Sequence, residues 1–505
     1  MRNKEGSALA QITIGGESFP VPEGTLLSDA LLPRHTLETP CGGQGRCGKC
    51  RVQVSGAVSP PSPAEIARLT PQELSQGVRL ACCTKVLGDC TVGLFHSGES
   101  QIRLTGKMPK FDLAPAFSHY GVALDIGTTT LAALLFDRQG IQLAQASCPN
   151  PQGAWGADVI SRIQAALQGK GEELAAAVRG ALSQLIEDMA AQAAISPGEI
   201  DGVTITGNTV MLYLLTTTDP DCLSHAPFQA TRLFGETIPA PDLDLPCLGA
   251  QVYLPRCMSA FVGADITTAL LASSICQKPG TRLLTDIGTN GEIALWHNGQ
   301  LSCCSTAAGP AFEGAGLSMG MPGKTGAIDH VTVENGALRA HVLGGGTPQG
   351  VCGSGVIDGL ACLLELDLLD ETGLLEEDPA VLQAPVSLSQ KDVRMVQLAK
   401  SAVCSGLTTL LRTAGVPAGE VEELAVAGGF GSYLNVASAG KIGLLPQELV
   451  PKVQVLGNAA LSGAAMLLLN ETLRAESQRL AESAHTVDLS ANPVFLELYT
   501  DNMFF

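Results

Sequence analysis

Four cysteines near the start of the chain have the number and spacing of a metal site. They follow the pattern C-x5-C-x2-C, with a fourth after 31 intervening residues, and are Cys41, Cys47, Cys50 and Cys82. Thiolates are the usual ligands of iron–sulfur clusters, and three ligands on one loop with a fourth from elsewhere is typical of a [2Fe–2S] site. A tetrahedral zinc site with four cysteines is the alternative, although zinc usually draws on two pairs of cysteines.

The loop that holds three of these cysteines, CGGQGRCGKC, suits an anionic cluster. Its glycines let backbone N–H groups approach the cluster sulfurs closely. Arg46 and Lys49 place positive charge beside the cluster, which should raise its reduction potential. Cys83 directly follows Cys82 and is a second candidate for the fourth ligand.

Two turns of similar sequence are candidates for phosphate binding. In each, an Asp ends an apolar strand and is followed by glycine and by hydroxyl or amide residues. The N–H and hydroxyl groups of such a turn can hold phosphate oxygens, and its carboxylate can hold Mg²⁺ directly or through water. Taken singly, each turn also fits an ordinary hairpin. The residues are Asp125, Gly127, Thr128, Thr129 and Thr130 in the first turn, and Asp286, Gly288, Thr289, Asn290 and Gly291 in the second.

Two further segments complete the candidate nucleotide site. The small-residue turn AGGFG at 427–431 follows a strand and includes Gly428, Gly429 and Gly431. The segment TAAGPAFEGAG places Glu313 on a glycine-rich loop, where its carboxylate could face the cleft and position water or metal. A plain loop with an exposed Glu is the alternative for this segment.

The elements that must position these residues fall into an N-terminal α+β unit and a repeated α/β region. Alternating residues around a Gly-Gly turn at 10–20 predict a hairpin, and the spacing of apolar residues at 172–194 predicts a helix. The segment VALDIGTTTLAALLF at 122–136 returns as LLTDIGTNGEIALW at 283–296, and two other pairs of segments repeat in the same order. We predict a first domain, a linker and two lobes at 1–95, 96–119, 120–278 and 279–505.

The composition excludes several kinds of partner. The 505 residues include 30 Lys and Arg against 49 Asp and Glu, which gives a net charge of −19. Such a surface repels nucleic acid and anionic lipid, so we expect neither as a partner. No apolar run reaches the roughly 18 residues of a membrane span, and no signal-peptide core is present near the N-terminus. We therefore expect a cytoplasmic protein, in which clustered cysteines bind metal or carry out redox chemistry rather than form structural disulfides.

Two families of known proteins resemble the two regions. The cysteine loop and the segment RLAC, which ends at Cys82, resemble the adrenodoxin-like and plant-type ferredoxins, and the RLAC match favours Cys82 over Cys83. The tandem DIGT turns and the AGGFG turn resemble the nucleotide-binding fold shared by acetate and sugar kinases, heat-shock chaperones and actin. In that fold two phosphate loops face each other and a Gly-Gly turn approaches the adenosine.

The order of motifs along nearly the whole chain resembles the reductive activators of corrinoid-dependent methyltransferases. The resemblance is carried by CGGQGRCGKC, RLAC, VALDIGTTT, NPQGAWGADVISRI, ITGNT, LLTDIGTNGEI, AGPAFEGAG, AVAGGFG and FLELYTDNMFF. It implies a ferredoxin-like β-grasp domain followed by duplicated α/β lobes of the actin, heat-shock-chaperone and sugar-kinase type, which are RNase H-like.

The resemblance also implies a function, the ATP-dependent return of a corrinoid cobalt from Co(II) to Co(I). The four cysteines would hold the [2Fe–2S] cluster that supplies the electron. Asp125, Asp286 and their turns would hold ATP and Mg²⁺, and these two residues with Glu313 are the catalytic candidates. The implied partners are a corrinoid protein and an external low-potential electron donor, and assembly into a homodimer is left open.

Three other functions fit parts of the pattern. A small-molecule kinase would use the same nucleotide-binding fold but would not need a cluster. A redox sensor or electron relay would use nucleotide only to gate docking. An ATP-dependent reductase of some other metalloenzyme would use both parts.

Overall fold

A computed structural model describes residues 8–32, 34, 37, 39, 43–94, 106, 108–429 and 433–505. The chain divides into two compact units. The first consists of Met1–Gly98 with Pro151–Lys170, and the second consists of Glu99–Asn150 with Gly171–Phe505. The domain boundaries at 95, 119 and 278 stay predictions. Within the described ranges, no helix combines the length and the apolar character needed to cross a bilayer.

The first unit is built on a mixed five-stranded sheet. Its elements are β1 (Leu9–Ile14), β2 (Glu17–Pro22), α1 (Leu27–Leu31), β3 (Arg51–Val58), α2 (Pro63–Ile66), α3 (Pro71–Ser75), β4 (Val78–Leu80), β5 (Val86–Leu94) and, later in the chain, α4 (Val159–Ala165). The strand order is β2-β1-β5-β3-β4. β1 and β2 form the predicted hairpin, and β1 pairs in parallel with β5. Apolar residues of the sheet and of α1 form the core of this unit.

The second unit contains two halves. The elements of the first half are β6 (Tyr120–Ile126), β7 (Thr130–Asp137), β8 (Gln142–Pro149), α5 (Gly171–Gln192), β9 (Ile200–Gly207), α6 (Thr209–Leu215), β10 (Glu236–Pro239), β11 (Gln251–Leu254) and α7 (Ala264–Ser273). α5 is the helix predicted at 172–194. Of the predicted linker, residues 108–119 are described and precede β6, and Ala114 N donates to the Leu469 carbonyl oxygen at 2.9 Å.

The second half repeats this pattern and adds a small insertion. Its elements are β12 (Thr281–Ile287), β13 (Gly291–His297), β14 (Gln300–Thr306), β15 (Ala327–Glu334), β16 (Ala337–Val342), β17 (Gly350–Val351), α8 (Gly353–Glu365), β18 (Ala380–Gln383), β19 (Val386–Leu388), α9 (Gln390–Ala414), β20 (Val421–Ala427), α10 (Val436–Lys441), β21 (Val453–Gly457), α11 (Ala459–Leu469), α12 (Leu473–Ser483), β22 (His485–Thr486) and α13 (Pro493–Asp501). β15 to β17 form a three-stranded sheet, and β18 and β19 form a hairpin.

The two larger sheets confirm the predicted duplication. One has the strand order β10-β11-β9-β6-β7-β8, and the other has the order β21-β20-β12-β13-β14-β22. Each contains an antiparallel meander, β6-β7-β8 or β12-β13-β14, extended by the parallel strands β9 and β11 or β20 and β21. Because parallel strands end at the same edge, the ends of β6 and β9 lie together, as do those of β12 and β20.

Helices α7 and α11 join the two halves. α11 packs on β6 and β9, and α7 packs on β9 and β12. Leu468 of α11 shares a core with Leu134 of the first sheet, while Leu467 shares a core with Leu284 of the second. The two helices approach closely at Gly463, where a methyl group would overlap the carbonyl oxygen of Thr268.

Candidate functional site

The first DIGT turn connects β6 to β7. Asp125 is the next-to-last residue of β6, and the turn is closed by Gly127 N, which donates to the Thr130 carbonyl oxygen at 3.0 Å. Two amide side chains hold the turn in place. Asn150 Nδ2 donates to the Gly127 carbonyl oxygen at 2.9 Å, and Asn458 Nδ2 donates to Asp125 Oδ2 at 3.0 Å.

The second DIGT turn connects β12 to β13 in the same way. Asp286 is the next-to-last residue of β12, and Gly288 N donates to the Asn290 carbonyl oxygen at 3.1 Å. Gly309 N, from the following loop, donates to the Thr289 carbonyl oxygen at 2.8 Å. The two turns therefore occupy equivalent positions in the two sheets, as the internal repeat predicts.

The AGGFG turn reaches the second DIGT turn. Gly428 has a φ of +97°, and a Cβ at this position would stand 2.5 Å from Asp286 Oδ1. Only glycine fits here, because any side chain would collide with the carboxylate and strain the backbone. Gly429 follows and is exposed. Gly431, also a predicted nucleotide contact, lies outside the described residues.

Glu313 joins the two DIGT turns. It ends a 3-10 turn, Pro310–Glu313, in the loop after β14. Thr129 Oγ1 of the first turn donates to Glu313 Oε2. Thr289 of the second turn donates to Glu313 Oε1 through its backbone N–H at 2.9 Å and through its hydroxyl at 3.1 Å. One carboxylate thus accepts hydrogen bonds from both candidate phosphate turns.

Several carboxylates crowd this cleft and disfavour one another's charge. Burial raises the pKa of Asp125 to about 6, although a hydrogen bond from Asn458 acts in the opposite direction and lowers this pKa. Burial, followed by the negative charges of Asp125 and Glu313, raises the pKa of Asp286 to about 7. Asp265 on α7 and Glu292, opposite Asp286 on β13, also have raised pKa values, first through burial and then through neighbouring carboxylates. A cation in this cleft would relieve the repulsion.

Two of the predicted cluster ligands are in contact in the first unit. Cys50, directly before β3, and Cys82, just after β4, have Sγ atoms 3.3 Å apart. Two sulfurs about 2.3 Å from one tetrahedral metal stand about 3.8 Å apart, so a small adjustment lets this pair share a metal ion. The contact with Cys50, and then burial, raise the pKa of the Cys82 thiol. Cys83 Sγ lies 3.6 Å from Cys82 Sγ.

The remaining predicted ligands lie on the glycine-rich loop. Cys47 is partly exposed, and Cys41 lies outside the described residues. Gly45 has a φ of +68°, and a Cβ there would stand 2.9 Å from Cys83 Sγ, so glycine lets the loop close over the cysteines. In the part of the chain that the structure describes, no three Cys, His, Asp or Glu side chains are placed to bind one metal ion. The four-cysteine ligand set stays a prediction.

Comparison with known proteins covers both units. Family profiles match at residues 12–87 (2Fe-2S iron-sulfur cluster binding domain), 120–278 (RACo middle region) and 280–505 (C-terminal domain of RACo, the ASKHA domain). The corrinoid activation enzyme RamQ of Eubacterium limosum is 36% identical over an alignment of 422 residues, and the match covers 76% of this chain and 70% of that protein. The chain belongs to the RACo family.

Two other relatives extend the RACo comparison. The Co(II) methylated amine-specific corrinoid protein reductase of Methanosarcina barkeri is 26% identical over an alignment of 385 residues, and the match covers 70% of each chain. A solved structure described as a reductive activator for corrinoid, iron-sulfur protein superposes with a TM-score of 0.73 at 25% identity and covers 98% of both chains. The family confirms the predicted fold, a ferredoxin-like domain followed by actin-like and sugar-kinase-like lobes.

Some polar residues at the candidate site of this RACo-family chain were not predicted. Asn208 and Asn458 each cap an apolar helix with Oδ1 and reach the first DIGT turn with Nδ2, where they bond Thr128 (3.1 Å) and Asp125 (3.0 Å). Each of these Asn residues directly follows a glycine at the end of a strand and precedes an apolar helix. This Gly-Asn pattern in the sequence could have identified both residues. Asp265 and Glu292 have no such local signal.

Proposed function

We propose that this RACo-family chain returns the cobalt of a corrinoid protein from Co(II) to Co(I), with one electron from its iron–sulfur domain and with hydrolysis of ATP in the second unit. The relatives' names, which describe corrinoid activation and Co(II) corrinoid protein reduction, support the proposal. The observation that carries it is the presence in one chain of an iron–sulfur domain and of two DIGT turns that share Glu313.

The proposed electron site uses Cys41, Cys47, Cys50 and Cys82 as ligands. A [2Fe–2S] cluster bound there supplies one-electron transfer. The thiols of Cys50 and Cys82 must lose their protons to act as ligands, so loading of the site releases protons. Both side chains are buried, which keeps water away from the ligand sulfurs.

The proposed nucleotide site uses the groups that now bond Glu313. Asp125 and Asp286 would hold Mg²⁺ through water, since Mg²⁺ usually keeps several waters in nucleotide sites. The hydroxyl of Thr129 and the N–H of Thr289 would bind phosphate oxygens, and a phosphate would therefore compete with Glu313 for these donors. Once released, the Glu313 carboxylate could orient the attacking water. The other proposed nucleotide contacts are Gly127, Thr128, Gly288, Asn290, Gly291, Gly428, Gly429 and Gly431.

Coupling to ATP gives a physical reason for joining the two units in one chain. For one electron, each step of roughly 59 mV uphill costs about 1.4 kcal/mol. An external low-potential donor supplies the electron, and ATP-driven rearrangement of the second unit or of the corrinoid protein makes up the remaining gap.

ATP hydrolysis by the full chain tests the proposal. We expect a Co(II) corrinoid protein to stimulate hydrolysis, and we expect no turnover from Asp286→Asn, which serves as the control. Stimulation by a sugar or a carboxylate, with a phosphorylated product, would contradict the proposal and favour a small-molecule kinase.

A further inference from the structure

Charge is distributed unevenly along the chain. Residues 1–94 hold nine Lys and Arg against eight Asp and Glu, whereas residues 95–505 hold 21 against 41. The net charge of −19 therefore belongs to the rest of the chain and not to the N-terminal region. Between Glu38 and Glu65 the sequence has no Asp or Glu but has three basic residues, and all three lie on or next to the cysteine loop.

The structure gathers these residues and one more around the cysteine loop. Arg51 Nε donates to the Gly48 carbonyl oxygen at 3.1 Å. A Cβ at Gly48 would stand 3.4 Å from Arg68 Cβ, so Arg68 lies directly against the loop. Arg46 and Arg68 are exposed, and the Arg51 side chain is 43% exposed. We call Arg46, Lys49, Arg51 and Arg68 the basic rim.

Acidic side chains among the described residues offset the charge of Arg51 in the basic rim, but none of them pairs with Arg46 or Arg68. Glu65 is fully buried and is held by Arg79 at 2.8 Å, so its charge is already balanced inside the unit. Glu73 pairs with Arg51 at 2.6 Å. Ile66, on the same short helix as Glu65, is 62% exposed and adds an apolar contact beside the rim.

We propose that the basic rim is the docking surface for the electron donor, and that this donor is an acidic one-electron carrier protein. The inference rests on the proposed function, because it places electron entry at the cysteine loop. An acidic protein is repelled by the acidic remainder of the chain and attracted by the rim, and this pattern directs it to the loop. One electron leaves the reduced centre of the carrier and enters the cluster, and no proton is transferred.

Cluster reduction by two donors of opposite charge tests this inference in the full-length loaded protein. The donors are a reduced acidic flavodoxin and the cationic radical of methyl viologen, and the rate is followed in stopped flow by the visible absorption of the cluster. We expect Arg68→Glu to slow reduction by flavodoxin about fivefold at low ionic strength, with little difference at high salt. Reduction by viologen should be unchanged or faster. Arg138→Glu makes the same change of charge at an exposed site of the second unit and should leave both rates unchanged.

Iron and sulfide content and the reduction potential of each variant separate the outcomes. Equal rates for the parent and Arg68→Glu with flavodoxin, or equal slowing with both donors, would overturn the inference while leaving the proposed function intact. An effect of Arg68→Glu confined to the reduction of Co(II) would also overturn it, because the rim would then receive the corrinoid protein. A parent protein that takes up no iron and sulfide would contradict the proposed function itself. Should Arg68→Glu fail to fold, Arg68→Gln and Arg46→Gln remove the charge with less disturbance and carry the same expectation.

Discussion

Glu313 is the residue at which the two DIGT turns meet. Its carboxylate accepts hydrogen bonds from Thr129 and from Thr289, and its charge helps to raise the pKa of Asp286. A phosphate would compete with it for the same donors and would be repelled by it. The charge of Glu313 should therefore weaken ATP binding while serving turnover.

Glu313→Gln should separate these two effects. The substitution keeps the shape of the side chain and removes its charge. We expect ATP to bind more tightly, and we expect kcat to fall about a hundredfold because the group proposed to orient the attacking water has lost its basicity. Calorimetric titration with ATP and steady-state hydrolysis measure the two effects.

The matched control for Glu313→Gln is Glu377→Gln, at an exposed position after α8. This variant removes the same charge from the surface and should leave both parameters unchanged. A kcat of Glu313→Gln close to that of the parent would show that this carboxylate takes no part in turnover.

The crowded carboxylates predict a pH-dependent stability of the nucleotide-free protein. The folded-state pKa of Asp286 is about 7, above its ordinary value of 3.8, so its contribution to stability is present at low pH and is lost as the pH rises from about 4 through 7. We therefore expect Asp286→Asn to have a higher Tm than the parent at pH 8 and the same Tm as the parent at pH 4. Partial exposure of the side chain reduces the effect, and in a unit of this size each kcal/mol gained shifts Tm by only about 1 °C.

Thermal melting of Asp286→Asn, of the parent and of Asp242→Asn at both pH values checks this prediction. Asp242 is exposed, and its substitution should change Tm at neither pH. An Asp286→Asn protein that melts below the parent at pH 8 would mean that the carboxylate is stabilised in the nucleotide-free cleft.

At the residue scale, sequence patterns identify groups that repeat or sit in motifs. Asp125, Asp286 and Glu313 follow from such patterns, and the structure brings them to one cleft. Asp265 could not be found in this way, because its relation to the cleft depends on how α7 packs against both sheets. Asn458 likewise reaches Asp125 across 333 residues of chain.

Two short helices in the first unit begin with the same capping box. In α2, Ser62 and Glu65 exchange hydrogen bonds with each other's backbone, and in α3 Thr70 and Glu73 do the same. The two differ in burial. Glu65 is inaccessible to solvent and also bonds Arg79, whereas Glu73 lies at the surface.

Glu65→Gln should therefore damage the first unit far more than Glu73→Gln. Besides Arg79, Glu65 accepts hydrogen bonds from Leu80 N (3.1 Å) and Thr84 Oγ1 (3.0 Å), on either side of Cys82. We expect Glu65→Gln to cost about 3–5 kcal/mol, since it leaves a buried Arg unpaired. The exposed pair should contribute less than about 1 kcal/mol.

Urea titrations that follow the visible absorption of the cluster measure this difference. Iron content per chain provides a second reading of the same two variants. Equal midpoints for Glu65→Gln and Glu73→Gln would show that the buried pair does not support the segment that carries Cys82.

The close approach of α7 and α11 predicts opposite effects for two Gly→Ala substitutions. Gly463→Ala forces the helices apart at Thr268 and should cost about 1–3 kcal/mol. Gly180→Ala, in α5, adds a methyl group that meets nothing within 4 Å and should stabilise the helix by about 0.5–1 kcal/mol. Thermal melting distinguishes the two variants. A change of Tm in the same direction for both would contradict the close approach of α7 and α11.

At the element scale, sequence patterns predict strands and helices that bury apolar residues at regular spacing. The hairpin at 10–20 and α5 are examples. α9 has the same regular spacing of buried apolar residues, but its buried face also includes polar residues whose partners that spacing cannot predict. These bond the segment after α13: Lys400 Nζ donates to the Asn502 carbonyl oxygen at 2.8 Å, and Gln397 Nε2 donates to that of Met503 at 2.8 Å.

At the scale of the whole molecule, the internal repeat carries most of the information in the sequence. Two DIGT segments predict two sheets of the same topology, and the sheet orders confirm this. The insertion of β15 to β19 belongs to the second half alone, so no internal comparison predicts it. The grouping of Pro151–Lys170 with the first unit depends on contacts far apart in the chain and leaves no periodic signal.

Formation of Co(I) is the measurement that tests the central claim most directly. The full-length loaded protein, a reductant, Mg²⁺ and ATP are mixed with a Co(II) corrinoid protein, and the Co(I) absorption band is followed. We predict that the band appears only with ATP, and that it is lost in Cys50→Ser, which removes a proposed cluster ligand, and in Asp286→Asn, which removes a proposed nucleotide-site carboxylate. Absence of ATP-dependent Co(I) across several corrinoid proteins, or Co(I) formation by either variant equal to that of the parent, would contradict the claim.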